Sequence, residues 1–91
     1  MNDIVIGRVA DVIDLETIDL EVTQIVRDRH DVYNSKENVR MKTFQHKLQS
    51  LRGIKNKGFF EALLKGRGVM CLIIGRDAHG RIEADVYVLE E

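Results

Sequence analysis

The charged side chains of this chain nearly balance, 14 cationic against 15 acidic, but they are unevenly spread. Lys42, Lys47, Arg52, Lys55, Lys57, Lys65 and Arg67 crowd the middle, where Asn38 to Ile82 carries ten bases and two acids. Met1 to Glu37 carries nine acids and four bases, and Glu83 to Glu91 four acids and no base. The formal net charge of -1 therefore hides a basic middle between acidic ends. Such a middle can track the phosphates of a nucleic acid, or it can attract the acidic ends when the chain folds. Arginine suits both uses, because its forked guanidinium matches phosphate and carboxylate alike. Tyr33, Phe44 and Tyr87 are the aromatics available to stack on bases, with Phe59 and Phe60 assigned to the core. His30, His46 and His79 share no metal-ligand spacing and read as loop and surface residues. There is no Walker loop and no Gly-x-Ser-x-Gly elbow.

The framework that must position these groups is small. Ninety-one residues, 44% of them hydrophobic, make one globular domain rather than a disordered chain. The longest apolar run, Val69 to Ile74, is too short to cross a membrane, and Asp3 and Arg8 rule out a signal peptide. A single cysteine, Cys71, can make neither an internal disulfide nor a cysteine metal cluster, which points to a reducing, cytoplasmic setting with Cys71 in the core.

Local patterns give the elements. The β-branched run Ile4 to Ile13 reads as a strand that bulges or bends at Gly7. Ile18-Asp19-Leu20-Glu21-Val22 alternates with period two and reads as its hairpin partner. Arg27 to Asn38 reads as a loop, and Val39 to Phe44 as a third strand with Val39, Met41 and Thr43 on one face. A helix starts between Lys55 and Gly58 and stops at Gly66, with Glu61 and Lys65 paired four residues apart. Val69 to Ile74 reads as a buried strand, Gly75 to Gly80 as a hairpin turn, and Arg81 to Leu89 as a last alternating strand. Five strands with one helix between the third and fourth predict a β-rich α+β fold, a Greek-key barrel of the OB type. Its expected core is Val12, Ile18, Leu20, Met41, Phe60, Leu63, Leu64, Leu72, Ile74, Ile82 and Val86. On periodicity alone an open α+β sheet remains an equal rival.

Several of these segments together resemble one family. Val9 to Leu20, Val39-Arg40-Met41, Ala62 to Gly66 and Gly75 to Val88 are similar to the staphylococcal-nuclease-like (thermonuclease) family, over nearly the whole chain. The closing hairpin around Gly80-Arg81 is the most specific part. The resemblance implies an OB-type barrel, calcium held by aspartates, a glutamate that activates water, and two arginines that bind the phosphate during phosphodiester hydrolysis. By position the arginines fall on Arg40 and Arg81, and the first metal-site acids on Asp14 and Glu16. The second metal ligand falls on Gln45 and the catalytic glutamate on Leu48, with Lys47 between them.

These departures imply a nuclease scaffold that has lost its reaction. Asp14 and Glu16 alone make a weak calcium site, and Leu48 cannot accept a proton. The first reading is therefore a non-catalytic binding module, with Arg40, Arg81, Lys42 and Lys47 facing nucleic acid, or with an acidic protein as partner, and no cofactor. The second is a calcium-dependent phosphodiesterase rebuilt from Asp14, Glu16 and an acid among Asp28, Asp31 and Glu37. The third is a small accessory or inhibitor protein that acts by protein interaction.

Overall fold

A computed structural model describes residues 1–45 and 57–89. The elements are β1 (Ile4–Val12), β2 (Thr17–Arg27), β3 (Lys36–Gln45), α1 (Lys57–Leu64), β4 (Gly68–Arg76) and β5 (Ile82–Val88). The strands close into a barrel in the order β1-β2-β3-β5-β4, with β4 returning to β1. Every neighbouring pair is antiparallel except β3 with β5, which run parallel. The result is the OB-type barrel expected from the sequence, and the open-sheet alternative falls. Among the described residues no helix is long and apolar enough to cross a membrane.

Pairing with a neighbouring strand explains why β2 and β3 exceed their sequence pattern. Alternation marks β2 only to Val22, yet Gln24, Ile25 and Arg27 continue the ladder opposite Ile6, Val5 and Ile4. Register shifts in this stretch leave Ile25 and Val26 both exposed, so no period-two signal was available there. β3 likewise begins at Lys36 rather than Val39, because Lys36 to Asn38 pair with Glu21 to Asp19.

The interior is lined by alternate residues: Val5 and Val9 from β1, Ile18 and Leu20 from β2, Val39 and Met41 from β3, and Ile82, Ala84 and Val86 from β5. α1 plugs it with Phe60 and Leu64. Eight of the eleven expected core residues are buried, while Leu63 and Leu72 are half-buried and Ile74 is exposed. The error in β4 has a simple cause: an unbroken apolar run carries no phase. Pairing sets it instead, turning Val69, Cys71 and Ile73 inward and Met70 and Leu72 outward. Thr43, expected beside Met41, is exposed because the β3–β5 register shifts between the two. Phe59, assigned to the core, is 54% exposed, and Tyr33, assigned to stacking, is buried.

Glycines act where the chain must turn or close up. Gly66 ends α1 and Gly80 closes the β4–β5 hairpin, both at positive φ (84° and 79°). Gly7 sits at a register shift, and a Cβ there would run into the Glu21 carbonyl oxygen and the Leu20 side chain. Gly7→Ala is therefore expected to destabilise the barrel by about 1–3 kcal/mol. Gly75→Ala, where an added Cβ meets nothing within 4 Å, should stay within about 0.5 kcal/mol of the parent. Urea unfolding of the two variants checks both.

Candidate functional site

The turn between β1 and β2 carries the two acids singled out in the sequence. Asp14 accepts a hydrogen bond from the Glu16 amide at 2.8 Å, an Asx-type contact that shapes the turn. Glu16 reaches across to Arg40 on β3, at 3.4 Å. The two acids therefore bend a turn and partner an arginine, rather than converging on a common point. Among the described residues no three histidine, cysteine or carboxylate side chains come together to hold a metal. Asp14 and Glu16 offer calcium two carboxylates, each already engaged, the one by an amide and the other by Arg40.

Arg81 is committed in the same way. The Asp77 carboxylate accepts from the Arg81 amide (2.9 Å), the Arg81 Nε (2.7 Å) and the His79 amide (2.9 Å). Burial would raise the Asp77 carboxyl, but these donors outweigh it and hold its pKa below the usual value. Lys42 is engaged by Glu83 at 2.6 Å, and the Thr43 hydroxyl donates to Asp85 at 2.8 Å. The outer face of β3 and β5 is consequently a lattice of opposite charges. Arg40, Lys42 and Arg81 all lie on this side, each already facing a carboxylate. Lys47 and Leu48 lie outside the described residues, as do His46, Arg52 and Lys55, and the side chains of Phe44 and Gln45 are likewise outside the description.

The most constructed polar cluster is one that sequence reasoning missed. Arg76, at the end of β4, donates from Nε to Asp31 (2.5 Å), from Nη1 and Nη2 to Glu37 (3.3 Å each), and to the carbonyls of Gly80 (2.8 Å) and Val32 (3.2 Å). Its guanidinium carbon stands 5.8 Å from the centre of the Tyr33 ring, a cation-π distance. Hydrogen bonds donated to Glu37 and Asp31 raise the Arg76 pKa, so it stays charged throughout. The same Arg76 bond lowers the Asp31 pKa. Beneath it, Asp3 is buried and accepts from the Tyr33 hydroxyl (2.7 Å) and from the Arg29 and His30 amides (2.9 Å each). Burial alone would raise the Asp3 carboxyl, but the Tyr33 and amide donors outweigh it and lower the pKa. Tyr33, desolvated and bound to Asp3, is pushed up and stays neutral.

An open cleft of about 740 Å³ borders this cluster, lined by Met1, His30, Asp31, Tyr33, Ile74 and Arg76 among others. No buried side-chain polar atom among the described residues lacks a partner. The cluster is therefore a brace that ties the end of β4 to β3 and to the loop before it. Cys71 is buried and its thiol is pushed up to about 12 by desolvation, so it is not a nucleophile at neutral pH.

The fold and its outer surface define an OB-type barrel with a charge-paired β3–β5 face. No family model, curated protein or solved structure matches the chain.

Removing the brace should be costly. Arg76→Met keeps the stem but strands the buried Glu37, and a loss of about 3 kcal/mol is expected in denaturant unfolding. Acid should act through the lowered carboxyls. Their stabilisation is full above the unfolded value of 3.8 and is lost as pH falls through the folded value. Heat-unfolding midpoints measured across pH 7 to about 2 should therefore fall below about pH 4, and Asp3→Asn should lower the neutral midpoint and flatten the acid limb.

Proposed function

We propose that this chain is a non-catalytic binding module on an OB-type barrel, with nucleic acid as its partner. One observation carries the non-catalytic half: Asp14 and Glu16, the acids a phosphodiesterase of the resembling family would use, are turned to the Glu16 amide and to Arg40. A hydrolase needs a cation bridging an activated water to the phosphate. Arginines that bind substrate and transition state alike would add little rate without it. The nucleic-acid half rests on the basic middle of the sequence and on a fold that serves widely for oligonucleotide binding.

A second reading has its own support. Ile4, Ile6, Met70 and Leu72 are half-buried and alternate with the inward residues of β1 and β4. They form adjacent pairs, Ile4 with Leu72 and Ile6 with Met70, and give the barrel an apolar outer strip. Such a strip suits contact with a protein, so an accessory protein-interaction domain is the runner-up.

Incubation of the chain with single-stranded DNA or RNA and calcium is expected to give no cleavage above background, with Glu16→Ala leaving that background unchanged. Calcium should leave the heat-unfolding midpoint where it was. Cleavage abolished by both a chelator and Glu16→Ala would instead establish the phosphodiesterase. Association with a labelled oligonucleotide should be measurable at low salt and fall steeply as salt is added.

A further inference from the structure

Resting on the nucleic-acid reading above, we infer that a single strand binds along the α1 flank of the barrel, with Arg8, Lys65 and Arg67 on its phosphates and Phe59 against a base. The β3–β5 face is the place that the sequence resemblance suggests, but each of its three cations stands against a carboxylate. Arg40, Lys42 and Arg81 meet carboxylates at 3.4, 2.6 and 2.7 Å. That face also carries Asp85 on β5, which repels a polyanion.

The α1 flank is different. Backbone bonds hold its parts together: the Val9 amide donates to the Arg67 carbonyl (2.9 Å), the Gly66 amide donates to the Val9 carbonyl (2.8 Å), and Arg8 pairs with Gly68. Arg8 and Arg67 thus flank the same turn, and both are exposed. Neither has a carboxylate partner among the described residues. Arg67 spends its Nε on the Leu63 carbonyl at 3.3 Å, which leaves the two terminal nitrogens of its fork. Lys57 and Lys65 share the single acid Glu61, at 3.9 and 3.8 Å, and remain more than half exposed. Lys65 also stands 4.0 Å from Asp11, a contact this exposed being worth little.

Two further features favour a strand of nucleic acid here. Arg8 borders a shallow depression of about 230 Å³ with Thr23, Gly66 and Gly68, and no acidic residue lines it. On the outward half of α1, Phe59 exposes 54% of its surface beside the exposed Gly58 and Ala62. Cationic side chains together with an exposed aromatic ring are what sequence-tolerant single-strand binders use. Glu21 stands opposite Arg8 in the β1–β2 register, unpaired with it, and is an acid that opposes binding from beside the track.

Fluorescence anisotropy of a labelled oligothymidylate with the full chain decides the matter, with heat unfolding used to confirm that each variant folds. Arg8→Ala with Arg67→Ala should weaken binding about tenfold and reduce the salt slope by about 1.4, because two phosphates are then no longer neutralised. The corresponding lysine pair should recover most of the affinity. Phe59→Leu should cost about fivefold or more, and Glu21→Gln should tighten binding. If Arg40→Ala weakens binding as much as the Arg8 and Arg67 pair does, the strand lies on the β3–β5 face and the inference fails while the binding module stands. If polyglutamate competes as well as the oligonucleotide and Phe59→Leu changes nothing, the surface takes an acidic protein and the inference also fails. No association at low salt in the parent chain removes the nucleic-acid reading itself.

Discussion

One guanidinium holds an end of this barrel together. Arg76 leaves β4 and bonds to the β2–β3 loop through Asp31 and the Val32 carbonyl, to β3 through Glu37, and to the β4–β5 hairpin through the Gly80 carbonyl. A small domain buries only a modest share of its chain surface, so a connection as long as residues 28–35 needs local ties to stay ordered. Arg76 supplies them from above, and Asp3 from below through the Arg29 and His30 amides and the Tyr33 hydroxyl. Tyr33 lies between the two, its ring under the cation and its hydroxyl on the carboxylate. The arrangement works because each charge is fully engaged. Buried Glu37 would otherwise be an uncompensated anion, and the Asn34 amide completes its shell at 2.8 Å.

The same saturation governs what the molecule can do. Carboxylates that might gather a cation are instead distributed one by one to arginines, lysines and turn amides. Glu16 takes Arg40, Glu83 takes Lys42, Asp77 takes Arg81 and its own hairpin amides, and Asp14 takes the Glu16 amide. An acid holding an arginine is held in turn, so drawing Glu16 towards a metal would first cost it the Arg40 contact. Among the described residues these polar groups hold turns and strands to one another.

Much of the fold was legible in the sequence because it depends on period-two alternation, and on glycines that act locally. β5 shows the pattern without a break, and Gly66 and Gly80 sit where a helix stop and a hairpin demand positive φ. Legibility ends where long-range pairing takes over. The phase of Val69 to Ile74 is fixed by Ala84 and Val86 across the ladder, and the tail of β2 exists because β1 is there to pair with it. Arg76 was invisible for the same reason: its carboxylate partners lie 39 to 45 positions away, and nothing near it in the sequence marks it. Arg40 and Arg81 stood out through a motif, but a motif gives residue types and not their neighbours. Phe59 and Phe60 could not be told apart from sequence, since only the docking of α1 decides which ring is buried.

Topology also explains where unneutralised charge collects. Outward residues on paired strands stand opposite one another, so a cation on β3 meets whatever β2 or β5 presents: Arg40 faces Glu83 in register, and Thr43 faces Asp85. Opposite charges selected at such positions stabilise the ladder and cancel there. A helix flank and its following turn have no cross-strand partner, so the lysines of α1 find their acids within the helix and on β1 beside it: Glu61 serves Lys57 and Lys65, and Asp11 stands 4.0 Å from Lys65. Arg8 faces Glu21 in register, next to the register shift at Gly7, with no ion pair between the two. Positive charge thus gathers beside the helix, where no strand stands opposite in register to supply an acid.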